Sequence, residues 1–171
     1  NSLVLRDLDL LRDMTALNIV HVAISVTTLN RELAHTMEPR TSPPAERLRT
    51  IRELSQAGIP VNVMVAPVVP GLTDSEMPEI LRAAKEAGAR AAGYIMLRLP
   101  LNVRPVFLDW LERNYPLKQK RVESHIRSTR GGQMNDPNFG SRMRGQGIMA
   151  DQIESVFEVF TKKYGLDGEL P

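Results

Sequence analysis

Short apolar runs alternate along the first 100 residues with stretches in which apolar residues recur every three or four positions. The runs are typical of strands in a parallel sheet, and the longer stretches are typical of amphipathic helices. Four strands are predicted, each followed by a helix: residues 2–5, 19–26, 61–66 and 91–97. Four consecutive units of this kind predict an α/β fold with a parallel sheet and right-handed crossovers. The run 19–26 is nearly all apolar, which predicts a strand buried on both faces.

The pattern changes after residue 100. Helices are predicted around residues 107–111, 118–127 and 150–164, and the composition of residues 131–140 indicates a loop. The chain therefore divides into a barrel-like part, residues 1–100, and a helical extension with a basic loop, residues 101–171. A complete (β/α)₈ barrel takes about 250 residues, and four units are too few to close one. Because the chain also begins in a predicted strand without a methionine, we expect a fragment of a larger barrel.

The composition is that of a soluble globular chain, with 42% hydrophobic and 25% charged residues in 171. This balance excludes intrinsic disorder and collagen-like repetition. No apolar run is long enough for a membrane span, and no secretory signal is visible, so we expect a cytoplasmic protein with no membrane partner. The chain has no cysteine, which excludes disulfides and any metal or cluster held by cysteine within these residues.

Positive charge is concentrated in one region, although the net charge of the chain is only +2. Residues 98–144 carry ten basic and four acidic residues, a surplus of six positive charges. Such a surplus is compatible with a polyanionic partner such as DNA, whereas solvated helix faces explain it equally simply. The residues predicted to contact a polyanion are Arg127, Arg130, Arg142 and Arg144.

Polar side chains at the ends of the predicted strands are the candidates for a ligand site. Carboxyl ends of adjacent parallel strands meet at one edge of a sheet, and ligands of α/β proteins bind there. A hydroxyl, a turn and a guanidinium at this edge suit a polar ligand that carries hydroxyls and a carboxylate. The alternatives are strand-end hydrogen bonding for Ser25 and a local ion pair between Glu38 and Arg40. The candidate ligand-binding residues are Ser25, Thr27, Glu38, Arg40, Ala66, Pro67 and Arg98.

Neither a metal site nor a catalytic residue is indicated. The sequence contains no HxH, HExxH or paired-carboxylate spacing and no Gly-x-Ser-x-Gly turn. We therefore expect no metal held by these residues alone.

Several segments, in their order and spacing, resemble the C-terminal part of radical S-adenosylmethionine (SAM) proteins. The likeness is to bacterial proteins related to spore photoproduct lyase, often labelled DNA repair photolyases. It covers essentially the whole chain. Its segments are SLVLRD at 2–7, SVTT at 25–28, MEPRTS at 37–42, VAPVVPGLTD at 65–74, LRLP at 97–100 and the loop 130–145.

The resemblance implies the second half of a partial (β/α)₆ barrel of the TIM type. In this family three cysteines of a CxxxCxxC loop hold a [4Fe–4S] cluster, and SAM bound to its open iron yields a 5′-deoxyadenosyl radical. Because none of those cysteines is present, we expect a C-terminal fragment that is inactive by itself and binds neither cofactor. The resemblance places Ser25 near the ribose or carboxylate of SAM, Ala66 and Pro67 against its adenine, and the Arg98 backbone at the adenine edge.

Two other functions stay open at this point. One is a cluster-free α/β enzyme, such as a half-barrel of the aldolase type, which would need a lysine or an acid at a strand end. The other is a module that binds nucleic acid or a partner domain through residues 98–144. Whichever holds, missing strands would leave an open sheet edge, so we expect the fragment to associate with itself.

Overall fold

A parallel sheet of three strands forms the centre of the part of the chain that the computed structural model describes, residues 2–168 and 170–171. The strands β1 (Val22–Ser25), β2 (Val61–Val68) and β3 (Ala91–Met96) lie side by side in chain order. Their register pairs Ser25 with Met64 and Met64 with Gly93. Parallel pairing brings all three carboxyl ends to one edge of the sheet.

Helices make up most of the remaining described chain. Two short 3₁₀ helices, Ser2–Asp7 and Asp74–Glu76, precede α-helices along the chain. The α-helices are α1 (Leu8–Ala16), α2 (Arg31–Met37), α3 (Pro44–Gln56), α4 (Met77–Glu86), α5 (Val103–Asn114), α6 (Gln119–Ser128) and α7 (Ile148–Tyr164). None of the helices in the described part is both long and apolar enough to span a membrane.

The prediction of a strand at residues 2–5 is wrong, and the described chain has three strands instead of four. This segment is the 3₁₀ helix that leads into α1. The side chains that reach the core are Val4, Leu5, Leu8 and Leu11, whereas Leu3 is 69% exposed. These contacts recur every three or four residues, so the apolar run is the start of a helical stripe and not a separate strand.

Helices cover only one face of the sheet. Ile24, Val63 and Val65 point to that face and are buried beneath α3, α4 and α7. On the opposite face Ala23 and Ser25 are exposed, and Asn62 and Met64 are partly exposed. The prediction that residues 19–26 are buried on both faces is therefore wrong, because no described helix covers the second face. Helices on a single face are consistent with part of an α/β barrel and differ from a doubly wound sheet.

A second core lies above the carboxyl ends of β2 and β3. Val69, Leu97 and Leu99 follow these strands and are buried against α5 and α6. The opposing helical side chains in this core are Phe107, Leu111, Val122 and Ile126. Gly71 lies where the chain leaves β2, with φ +78°, and a Cβ there would stand 2.8 Å from His125 Nδ1 of α6. The extension thus packs directly on the strand ends that carry the candidate site.

We expect the chain to associate with itself through β1. This strand pairs only with β2 among the described residues, and Leu17 and Ile19 just before it are 70% and 62% exposed. The Val22 amide donates to the Pro60 carbonyl just before β2 and the Val26 amide to the Met64 carbonyl in β2, so by strand alternation the amide of Ala23 points to the free edge.

Ala23→Pro removes that edge donor and is expected to convert an oligomer to a monomer in light scattering after size exclusion. Ala23→Gly keeps the donor and serves as the control that still associates. A wild-type chain that is monomeric at every concentration would contradict the prediction.

Candidate functional site

Two hydroxyl groups from the end of β1 converge on one carbonyl at the end of β2. Ser25 Oγ donates to the Ala66 carbonyl at 2.8 Å, and Thr27 Oγ1 lies 2.9 Å from the same oxygen. The Ala66–Pro67 peptide bond is cis. Thr27 Oγ1 also lies 3.1 Å from Glu38 Oε2. The structure therefore brings together five of the predicted residues: Ser25, Thr27, Glu38, Ala66 and Pro67.

A buried arginine that sequence reasoning missed organises the loop after β1. Arg47 is 7% exposed, and its Nη1 donates to the Ser25 carbonyl at 2.9 Å. Its Nη2 lies 2.7 Å from Glu38 Oε2 and from Thr41 Oγ1, and its Nε donates to the Ser42 carbonyl at 2.8 Å. Every donor atom of the guanidinium is thus used to tie the loop 38–42 to the end of β1.

The alternative interpretation of Glu38 and Arg40 as a local ion pair is wrong, because Glu38 forms its ion pair with Arg47. The sequence does contain a signal for this role. Arg47 stands four and seven residues before Ile51 and Leu54, which are fully buried, so a charged residue occupies the buried stripe of α3. A charge in that position needs a buried partner.

Arg40 lies apart from the other predicted residues. Its side chain is exposed and makes no hydrogen bond or ion pair with any residue that the structure describes. A cavity of about 480 Å³ opens nearby between α2 and the loop 38–43, with Arg31, His35 and Glu38 among its lining residues. Of the predicted residues, Glu38 alone lines this cavity.

The uncovered face of the sheet forms a surface beside Ser25 that we call the floor of the site. The register sets Ser25, Met64 and Gly93 in one row across the three strands. A Cβ at Gly93 would stand 2.8 Å from Met64 Sδ, so the thioether lies over the bare glycine backbone. Asn62 Nδ2 lies 3.4 Å from the same sulfur, while its Oδ1 is buried without a partner among the described residues. This floor combines a hydroxyl, a thioether and a free amide oxygen, with no charged group in the row.

Arg130 closes the far end of the site and is itself buried, at 3% exposure. Its Nη2 donates to the Leu97 carbonyl at 2.7 Å, and its Nη1 donates to the Arg142 carbonyl at 2.9 Å. Burial lowers the pKa of Arg130, the charge of Asp136 opposes this shift, and the charge of Arg98 adds to it. Arg130 is one of the residues predicted to contact a polyanion. In the structure its guanidinium already binds the backbone of the loop and of the segment after β3.

The other predicted polyanion contacts each have their own surroundings. Arg144 lies over the ring of Tyr94 at 4.2 Å, on the helix-covered face of the sheet, and Arg142 lies over Phe139 at 4.7 Å. Arg127 is exposed on α6, with one long contact of 3.4 Å to the Gly132 carbonyl. Binding of a polyanion by these residues stays a prediction.

The described residues do not form a cluster of metal-binding side chains. Within the described residues, no group of three or more histidine, aspartate or glutamate side chains is placed to hold a metal ion. The whole sequence contains no cysteine, so no thiolate for an iron–sulfur cluster comes from these 171 residues.

Replacing Arg47 by alanine is expected to lower the free energy of unfolding by about 2–3 kcal/mol, because it leaves Glu38 and the Ser25 carbonyl without their donor. Arg49→Ala is the matched control on the same helix. Arg49 pairs with Glu46 and Glu53, but its side chain is 51% exposed, so its loss should cost less than about 1 kcal/mol. Urea unfolding of the two variants measures both values, and equal effects would contradict the role given to Arg47.

Comparison with known proteins gives a match between one family model and part of the chain. Residues 1–84 match the model of the Radical SAM superfamily. The chain is 32% identical over 145 residues to the uncharacterized protein Rv2578c of Mycobacterium tuberculosis and to the uncharacterized protein Mb2609c of Mycobacterium bovis. That alignment covers 84% of this chain and 42% of each relative, so the chain spans less than half of their length.

A shorter likeness extends to a viral protein. The uncharacterized protein ORF301 of Acidianus two-tailed virus is 41% identical over 68 residues, which are 40% of this chain and 22% of that protein. No solved structure matches the chain significantly. The family match therefore covers β1 and β2 with Ser25, Glu38 and Ala66, whereas the narrower relationship to spore photoproduct lyase stays a prediction.

Proposed function

We propose that the chain is part of a radical SAM enzyme and that the uncovered face of its sheet binds SAM. The observation that carries the proposal is the convergence of the Ser25 and Thr27 hydroxyls on the Ala66 carbonyl, at the carboxyl edge of an open parallel sheet. Ligands of such sheets bind at this edge. The match of residues 1–84 to the Radical SAM superfamily supports the same reading.

The groups on the open face fit the nucleoside part of SAM. Ser25 Oγ uses its proton on the Ala66 carbonyl, so its lone pairs are left to accept a hydrogen bond from a ligand hydroxyl such as those of ribose. The Asn62 Oδ1 atom is a second acceptor that lacks a partner. The bare backbone at Gly93 and the thioether of Met64 give a planar ring an apolar surface without charge. In this arrangement Ser25 orients the sugar, and Met64 with Gly93 supports the base.

The buried Arg47 acts on this site through the backbone. It holds the Ser25 carbonyl and Glu38 together, which fixes the segment that presents the two hydroxyls. Arg47 is therefore a positioning residue. The helices α5 and α6 cover the ends of β2 and β3 with apolar side chains, and this keeps water from one side of the site.

The cluster that such chemistry requires must be held outside these residues, because the chain has no cysteine. When it is bound beside a reduced [4Fe–4S] cluster, SAM supplies a radical that removes hydrogen from a substrate. The work of this chain in that reaction is to bind and orient SAM. The isolated chain is accordingly proposed to be inactive, with the whole activity belonging to a longer protein.

A DNA-directed lyase or repair activity is the finer form of this proposal. It is supported by the likeness of the segments at 25–28, 37–42 and 65–74 to spore photoproduct lyase relatives and by the surplus of positive charge in residues 98–144. Exposed Arg127 on α6 is available to a phosphate backbone. DNA binding that weakens steeply with added salt, and that Arg127→Gln reduces, would support this finer form.

Ser25→Ala is expected to weaken SAM binding by the value of about one hydrogen bond, roughly 0.5–1.5 kcal/mol, or about two- to tenfold in Kd. Isothermal titration calorimetry of SAM with the longer parent protein measures the change. Ser155→Ala is the control, since that hydroxyl donates to its own helix at the Asp151 carbonyl. A Ser25→Ala variant that binds SAM like the wild type would refute the orientation given to the ribose.

Gly93→Val is expected to abolish SAM binding while the fold survives. The new side chain would occupy the floor and displace Met64, whose flexible end has room to move, and valine suits a strand. Thermal unfolding followed by circular dichroism checks the fold, and equilibrium dialysis of the longer parent protein with labelled SAM checks the binding. Normal binding by a folded Gly93→Val variant would place the base elsewhere.

A further inference from the structure

Arg98 occupies a strand end and lacks a counter-ion. It lies two residues beyond the end of β3 and is partly buried, and its Nε atom is buried without any partner. Its guanidinium forms no hydrogen bond or ion pair with any residue that the structure describes. A buried donor without an acceptor is unusual in a folded protein and points to a missing partner such as a bound ligand.

Arg142, on the neighbouring segment, also has a buried donor without an acceptor. Its Nε is buried without a partner, and its side chain contacts the Phe139 ring. The two segments are joined, because the Met96 amide donates to the Met143 carbonyl at 2.9 Å. Arg130 joins them a second time by donating to the Leu97 and Arg142 carbonyls. The end of β3 thus brings three arginines into one neighbourhood.

The negative charge of Asp136 acts on Arg130 but does not outweigh the effect of burial on that arginine. Asp136 accepts hydrogen bonds from the Ser141 hydroxyl and the Asn138 amide, which lower the pKa of its carboxyl. It forms no ion pair with an arginine among the described residues. By contrast, Arg47 and Arg49 on α3 and Arg82 on α4 each have a carboxylate within ion-pair distance. Unbalanced cations at low exposure are costly, and a bound anion would remove that cost.

We propose that Arg98 and Arg142, with Arg130 holding their segments together, form a binding site for a phosphoryl group of the substrate. A guanidinium binds the oxygens of a phosphate in a two-pronged manner, and two negative charges match the surplus of cations. The site lies at the carboxyl edge of the sheet, where α/β proteins bind ligands. The proposal deepens the proposed function, since it assigns the phosphoryl group to the substrate, and SAM itself carries none.

Inorganic phosphate is the probe that tests the site, added to the 171-residue chain at constant ionic strength and followed by ³¹P NMR. The wild-type chain is expected to bind it saturably. Arg98→Gln and Arg142→Gln should each weaken binding roughly tenfold or more, because each loses charge-assisted hydrogen bonds. Arg104→Gln is the matched control, an exposed arginine on α5 that should bind phosphate like the wild type.

Two competitors distinguish the source of the phosphoryl group. Displacement of phosphate by a single-stranded oligonucleotide indicates a nucleic-acid backbone, and displacement by a nucleoside monophosphate alone indicates a small phosphorylated substrate. Both results support the site. The proposal is overturned if the wild-type chain does not bind phosphate, or if Arg104→Gln weakens binding as much as Arg98→Gln and Arg142→Gln do.

The same variants separate this proposal from SAM binding. Ser25→Ala is expected to lose affinity for SAM while its affinity for phosphate is unchanged. Arg142→Gln is expected to show the reverse. Absence of SAM binding by the longer parent protein would refute the proposed function and leave the phosphate result standing, whereas phosphate binding that is insensitive to Arg142→Gln would refute only the anion site.

Discussion

The candidate site depends on how the structure satisfies backbone carbonyls at the ends of a parallel sheet. Such groups lose their ladder partners where a strand ends, and leaving them unpaired in a buried position costs free energy. Two buried arginines solve the problem here. Arg47 donates to the Ser25 carbonyl at the end of β1, and Arg130 donates to the Leu97 carbonyl after β3. Each arginine also holds a loop, so the same contacts that satisfy the strands build the rim around the site.

The one-sided covering of the sheet follows from the sequence pattern of its strands. The side chains that face the helices are large and branched, such as Ile24, Val63 and Val65. Those on the other face are mostly small or polar, such as Ala23, Ser25, Asn62 and Gly93, with Met64 and Ile95 as the larger apolar side chains. A face of this kind buries too little apolar area to hold a layer of helices. It leaves room for a ligand to pack against the sheet.

The positions of β1, β2 and β3 could be predicted because an apolar run between glycine or proline turns has few other interpretations. The segment 2–5 could not, since a run of four residues has the same composition at the start of a helical stripe as in a strand. In the site, parallel pairing was enough to predict that Ser25 and Ala66 meet. The partner of Glu38 was not predictable from proximity in sequence: Arg40 is closer along the chain, but Arg47 lies on the buried side of α3.

Arg130 illustrates a second limit of sequence reasoning. A basic residue in a glycine-containing loop is expected to be exposed to solvent. The side chain of Arg130 is instead buried and donates to three backbone carbonyls. A loop has no repeating pattern of apolar positions, so the burial of one of its residues cannot be inferred from the sequence. Part of the positive charge in residues 98–144 is therefore buried inside the fold, and the Nε atoms of Arg98 and Arg142 near the end of β3 have no partner among the described residues.

The sheet consequently separates two kinds of chemistry along one edge. Near β1 the groups are uncharged hydrogen-bonding atoms that suit a nucleoside, and near the end of β3 they are cations that suit an anion. Neighbouring strands lie about 4.8 Å apart, and Arg98 follows Gly93, the residue level with Ser25, by five residues, so these regions lie more than about 10 Å from each other. One small anion cannot contact both Ser25 and Arg98 at that separation. Two ligands, or two parts of an extended one, are required to occupy the edge, and this is the arrangement expected when a cofactor and its substrate bind next to each other.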